Sequence, residues 1–525
     1  MPNPKLKPNF DKIVKIHRFT NSSEQIHGFL VKSTAPINVE DQNDDIIDED
    51  VKREHPEWLE DSNIDKIADI LKDVEAPEVI VRIHGYSTKE KNAIEQYHQI
   101  IQGINTYKEK YNIDKTFVFL GYRWPSESPD IKGIPTSISD IINALPTLPK
   151  NIFLVSFIVV VVSLVALILQ LFNNITLVFF GLFGLLLSIT FTLILLRISA
   201  YFRDSFRATN YGVPDLVELI RELDEAITIK RDPHKPPIKL SFIAHSMGCY
   251  VTTNTIRILS DVFTSSNNPG AEIGNSFTLG RLILVAPDIP VETIKPRRAN
   301  FLQASLKRFE ESYIFSNEGD VVLRIASTAA NYFSFPAKTN SSGYRLGNIT
   351  VSHPQKWIQY GIVNNSNSPY ELLEVRSSDK PEDIMPVKEG NENVDIEICE
   401  AVTNKFTYFD CTDYVDVKDG RNVTPVSLAL KKKALNFWDY FRLVWTDLSS
   451  PDTNTHGGYF QGDFTKDLIY KLAFLGFDGL LDSYSSPGDS DDQRREKLSQ
   501  ECEKKQIQVL LSPERREKYG TPKSR

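Results

Sequence analysis

Residues 239–250 read Lys239-Leu240-Ser241-Phe242-Ile243-Ala244-His245-Ser246-Met247-Gly248-Cys249-Tyr250, and this stretch decides how the chain is read. Leu240 to Ala244 is an apolar, β-rich run, and Cys249 to Ser260 is compatible with a helix. Between them stands Ser246. A serine on so abrupt a strand-to-helix turn is held in a strained backbone with its hydroxyl pushed outward. The turn leaves no room for side chains two residues before and two after it, and those positions are the small residues Ala244 and Gly248.

Working outward, Glu78 to Ile83 is a second β-like run, ending in His84-Gly85-Tyr86. A glycine there lets the backbone approach another group closely. These two motifs resemble the nucleophile elbow and the oxyanion turn of the alpha/beta hydrolases. The usual elbow has glycine where this chain has Ala244, a tolerated departure. Further pieces match: Tyr122-Arg123-Trp124-Pro125-Ser126, Ala286-Pro287-Asp288, Asn317-Glu318-Gly319-Asp320, Arg345-Leu346-Gly347, and His456 with Tyr459-Phe460. Together they span about residues 79–475 and resemble a bacterial alpha/beta hydrolase family of uncharacterised function, esterase- or lipase-like.

The resemblance implies an α/β fold, a mostly parallel sheet flanked by helices, with a Ser-His-Asp triad. It implies that the backbone N–H groups of Tyr86 and Met247 form the oxyanion hole. Two such dipoles aimed at one point stabilise a tetrahedral intermediate by a few kcal/mol. It does not supply a substrate. The triad order in this fold is Ser, acid, His. Of nine histidines, only His353 and His456 follow a plausible acid. His353 precedes a proline, whereas His456 sits in a Gly-flanked loop after the β-like run Lys405 to Asp410, so His456 is the expected base. For the acid, Asp320 follows the short strand Ser312 to Ser316 and is favoured. Asp288, after the strand Leu282 to Val285, is the rival, with Asp410 and Asp413 weaker.

The chain departs from the resembling family in one long insert. Asn151 to Leu196 contains no charged residue and divides into Ile152–Phe172 and Ile175–Leu196 around Asn173-Asn174. Each half has about the 20 apolar residues that cross a bilayer as a helix. A lipid-exposed strand pair would leave backbone groups unpaired, so the expectation is a transmembrane helical hairpin at 151–202. Lys150, Arg197, Arg203 and Arg207 flank it and the turn is uncharged. The positive-inside rule then puts the catalytic body and both termini in the cytoplasm. Cys249, Cys399, Cys411 and Cys502 have no paired spacing, which agrees with a reducing compartment. The insert follows the strand Thr116–Gly121, at the carboxyl edge where open α/β sheets bind ligands. The hairpin and Ser246 are therefore expected at one edge, with the bilayer and an acyl ester or lipid as partners.

The 525 residues carry a net charge of −9 and 41% hydrophobic residues. That allows one large catalytic domain with additions, and it gives no basic footprint for nucleic acid. There is no internal repeat, Gly-rich phosphate loop or Cys/His metal spacing, so no cofactor or metal is expected. The expected organisation is 1–150 and 203–483 as two parts of the hydrolase domain, with the hairpin between them. An insertion is expected around 338–400, and a charged tail over 484–525. Strands are also expected at Lys12–His17 and Gly28–Val31, and helices at Asn63–Val74, Lys89–Tyr111 and Asp215–Ile227. Oligomeric state is left open by the sequence.

Overall fold

A computed structural model describes residues 13–35 without 24–25, 57–126 without 112–114, and 201–294 without 264–271. It also describes 302–327, 344–352, 361–363, 372–374, and most of 402–518.

Apolar runs that read as strands do form strands, because burial on both faces favours β-branched and aromatic residues. They are β1 (Val14–Phe19), β2 (Ile26–Ser33), β3 (Leu59–Ser62), β4 (Glu78–Ile83), β5 (Phe117–Arg123) and β6 (Ile238–His245). Further on come β7 (Glu272–Ile273), β8 (Phe277–Val285) and β9 (Glu311–Ser316), then the short β10 (Thr350–Ser352), β11 (Gly361–Val363) and β12 (Leu372–Glu374). The last four are β13 (Phe406–Asp410), β14 (Asp416–Lys418), β15 (Arg421–Val423) and β16 (Gln508–Leu510). Among the described residues the main sheet runs β16-β13-β9-β8-β6-β4-β5-β2-β1-β3, with β7 paired to β8. The stretch from β13 to β2 is parallel throughout. Antiparallel strands β1, β3 and β16 close its two ends.

Helices cover both faces. On one lie α1 (Ile64–Asp73), α3 (Val213–Lys230) and α4 (Met247–Phe263), whose Ile67, Leu71, Leu216, Leu223, Val251 and Ile256 join the core. On the other lie α2 (Glu90–Tyr111), α6 (Asp463–Tyr484) and α7 (Asp491–Lys504). A further helix, α5 (Phe437–Ser449), leads towards the His456 loop. The strand order reverses at β4: the chain places β5 on one side of it and β6 on the other. Such a switch point opens a crevice beyond the strands' carboxyl ends. Both the 84–86 turn and Ser246 leave the sheet there.

One expectation changes. The charged stretch 484–525 is no simple tail. Ser490 and Gln493 form a capping box that starts α7, Leu498 and Cys502 anchor that helix in the core, and β16 pairs with β13. The strand at 406–410 is therefore not the last of the sheet. In the 338–400 region, β10–β12 form a small antiparallel sheet, and Leu346–Asn348 is a 3₁₀ turn packed beneath the acid loop. Of the expected hairpin, 151–200 lies outside the described residues; 201–207 are helical and continue through a π-helical turn, Ala208–Gly212, into α3. Among the described residues no helix is long and apolar enough to cross a membrane.

Candidate active site

Ser246 stands between β6 and α4 with φ of 55°, the left-handed conformation that an elbow imposes. The fit around it explains the small residues of the motif. A Cβ on Gly248 would lie 2.5 Å from the His84 carbonyl oxygen, and one on Gly85 would lie 2.9 Å from the Ser246 Cβ. The elbow and the 84–86 turn are thus in direct contact. Met247 opens α4, where the first N–H groups have no acceptor within the helix.

Three loops far apart in sequence meet here. His456 Nε2 is 2.7 Å from Ser246 Oγ, and His456 Nδ1 is 2.7 Å from Asp320 Oδ2. All three residues are buried. An ionised carboxylate only accepts, so Nδ1 carries the proton, and Nε2 is left to accept from the serine hydroxyl. Asp320 Oδ1 accepts from the Leu323 N–H at 3.0 Å. Burial raises the Asp320 pKa, with the His456 charge pulling the other way. For His456, burial pulls the pKa down, but Asp320 outweighs it and the imidazole ends above its ordinary value.

The rival acid, Asp288, has a different partner. Its carboxylate pairs with Arg345 Nε at 3.0 Å, while its backbone N–H donates to the Ser246 carbonyl at 3.2 Å. Asp410 is also engaged elsewhere: its Oδ2 accepts the Val351 N–H at 2.8 Å. Tyr86 places its ring 6.1 Å from that of His456. His353 lies outside the described residues.

Several residues that sequence reasoning passed over hold the arrangement. Asn317 Nδ2 donates to the carbonyls of Val426 (2.7 Å) and Thr455 (3.0 Å), which ties the acid turn to the histidine loop. Asn348 Nδ2 lies within 3.3 Å of the carbonyls of Asn317, Glu318 and Asp320. His245 Nε2 donates to the His456 carbonyl at 3.0 Å; burial, then the neighbouring His456, push its pKa well down. Asp204 Oδ2 accepts from the Ser87 N–H (2.9 Å) and the Ser126 hydroxyl (2.8 Å), while Arg203 and Arg207 face its other oxygen. Asn317 opens the turn Asn317-Glu318-Gly319-Asp320, and its side-chain amide beside the acid is a readable signal. Asp204 carries none, since its partners are set by tertiary structure. Among the described residues no cluster of His, Cys, Asp and Glu is arranged to hold a metal ion.

Residues 197–378 match the model of a family described as alpha/beta hydrolase of unknown function (DUF900). The match contains Ser246 and Asp320 and ends before His456. No curated protein matches the chain. A crystal structure of an uncharacterized protein from Pseudomonas aeruginosa is similar at 11% identity over 49% of this chain and 38% of that one, with a TM-score of 0.21. The sheet order, the elbow and the family match agree: this chain is an alpha/beta hydrolase in architecture.

Proposed function

We propose that the protein is a membrane-anchored serine hydrolase that cleaves an acyl ester. One observation carries the reading: the continuous hydrogen-bonded chain Ser246–His456–Asp320, with 2.7 Å at each link. In this mechanism Ser246 Oγ attacks the acyl carbonyl as His456 Nε2 takes its proton. Asp320 keeps Nδ1 protonated and stabilises the imidazolium that forms. The N–H groups of Met247 and Tyr86 hold the oxyanion. His456 then gives the proton to the departing alcohol oxygen, and water repeats the sequence to release the acid. Burial lowers the local dielectric and strengthens each of these interactions.

The anchoring half of the proposal is supported by the charge-free run 151–196, read as two spans with both termini cytoplasmic. Because β5, the described strand that precedes this run, ends at the edge that carries Ser246, the preferred substrates are acyl esters that partition into membranes. An acyltransferase or thioesterase would use the same groups, and a panel of acyl donors separates these by leaving group and acceptor. The test is a fluorophosphonate probe on the detergent-solubilised full chain. It should label Ser246, and Ser246→Ala should abolish labelling and turnover. An unlabelled wild-type chain would leave only a catalytically silent fold serving as a membrane scaffold.

A further inference from the structure

We propose that α5 is a docking surface for an anionic bilayer. Along α5, Trp438, Phe441 and Trp445 recur at helical spacing and are 72%, 58% and 67% exposed. Arg442 is exposed between them. The opposite side of the helix is committed to the protein: Asp439 and Leu443 are buried, and Tyr440 Oη donates to the Glu318 carbonyl at 3.2 Å. A large apolar face on a monomeric surface marks an interaction site. Three features choose the occupant. Two of the three aromatics are tryptophan, the side chain that settles at headgroup depth. In sequence, Lys431-Lys432-Lys433 is separated from the helix by Ala434-Leu435-Asn436, and with Arg442 it makes four basic residues, the size of cluster that binds anionic lipid surfaces. Finally, Tyr440 ties α5 to Glu318 at the carboxyl ends of the strands, the side on which the described chain ends at Ser126 after β5. Arg324 lies over both Tyr440 of α5 and Tyr344, and the adjacent Arg345 donates to the Tyr201 hydroxyl just after the run 151–196. Phe206, 56% exposed, sits on the helical residues 201–207 that follow that run.

Docking α5 would hold the crevice above Ser246 against the lipid surface, so the inference rests on the membrane reading of 151–196 but not on hydrolase chemistry. The test uses the full chain with Cys399→Ser and Phe441→Cys, carrying a nitroxide at position 441; Cys249, Cys411 and Cys502 are buried. The protein is reconstituted in phosphatidylcholine vesicles with or without phosphatidylglycerol. Accessibility to oxygen and to a water-soluble nickel chelate is read by power saturation. A label at Ile229→Cys, 76% exposed beside the start of β6 at the opposite edge, serves as the aqueous control. The expected result is a rise in oxygen access and a fall in nickel access at 441 alone. It should require phosphatidylglycerol and be lost when Lys431, Lys432 and Lys433 are changed to Gln. A label that stays open to nickel in anionic vesicles overturns the proposal; co-flotation of the same sample then shows whether the anchor has failed with it. Equal shielding without phosphatidylglycerol also overturns it, because the face is then covered by residues 151–196 or by a second copy.

Discussion

Gly248→Ala tests the contact on which the proposed oxyanion site depends. The new methyl carbon would stand 2.5 Å from the His84 carbonyl oxygen and 2.9 Å from that of Ile83. Ordinary contact begins at 3.4 Å, so the turn and the elbow must part by about 0.9 Å. Both oxygens are backbone atoms, and His84 O also accepts the Trp124 indole N–H at 3.0 Å, so a retreat on that side strains a buried bond. The movement separates the Tyr86 N–H from the Met247 N–H. A misplacement of ~1 Å costs on the order of 10²-fold in rate. Overpacking of this kind costs about 1–3 kcal/mol of stability. The assay is the rate constant for fluorophosphonate labelling of Ser246, with a thermal melt beside it. Labelling about 10²-fold slower in a folded variant is expected. Gly103→Ala, on α2 with nothing within 4 Å of its added carbon, should leave the rate unchanged. If Gly248→Ala labels at the wild-type rate with an unchanged melt, the close approach of the turn to the elbow is wrong.

Asp320→Asn should slow labelling by about 10⁴-fold, the size of the tautomer penalty in such triads, and Asp288→Asn far less; the opposite ranking in the same assay would reassign the acid. The acid limb of the pH–rate profile should lie above the ordinary imidazole value of 6.5, because the base must be neutral and Asp320 holds its proton on. Asp320→Asn should move that limb down, and a limb that stays put argues against the coupling. Asp204→Ala strands the Ser87 N–H and the Ser126 hydroxyl, at roughly 1–3 kcal/mol for each donor left buried and unpaired. Denaturant unfolding should read that loss, and labelling of the folded fraction should slow.

The parallel strands were legible because each is a short, continuous apolar run bounded by turn residues. Expected and observed limits for β4 coincide, those of β5 and β6 differ by one or two residues at each end, and β9 starts one residue before its expected limit and ends on it. Edge elements were not legible. In β3, Leu59-Glu60-Asp61-Ser62, there is no apolar alternation, since one side of an edge strand need not be buried. Among the described residues of α7 only Leu498 and Cys502 are buried, too weak a period within a charged sequence. Ser246 could be read from local sterics, because the elbow constrains residues on either side of it. Asp320 and His456 could be ranked only by chain order. What separates Asp320 from Asp288 is Arg345, which neutralises Asp288 and reaches it only through tertiary folding.

The arrangement also bears on whether this fold is catalytic or silent. Six non-glycine residues among those described have positive φ, and three of them stand at the carboxyl ends of strands around the site: Ser87, Ser246 and Ala286. Sparsely populated backbone conformations of this kind cost about 1–3 kcal/mol each and persist only where their surroundings over-determine them. The surroundings here do so with side chains that serve no packing purpose of their own. Asn317 and Asn348 saturate carbonyls of the acid and histidine loops, and Asp204 is buried to fix two donors of the 84–88 turn. Asp320 stays buried although burial works against its charge, and its compensation is His456. An apolar replacement of such a buried pair is often neutral or stabilising. A scaffold would therefore gain nothing from keeping the strain, the buried pair and the aligned hydroxyl together, whereas a nucleophile that must be preorganised before substrate arrives needs all three.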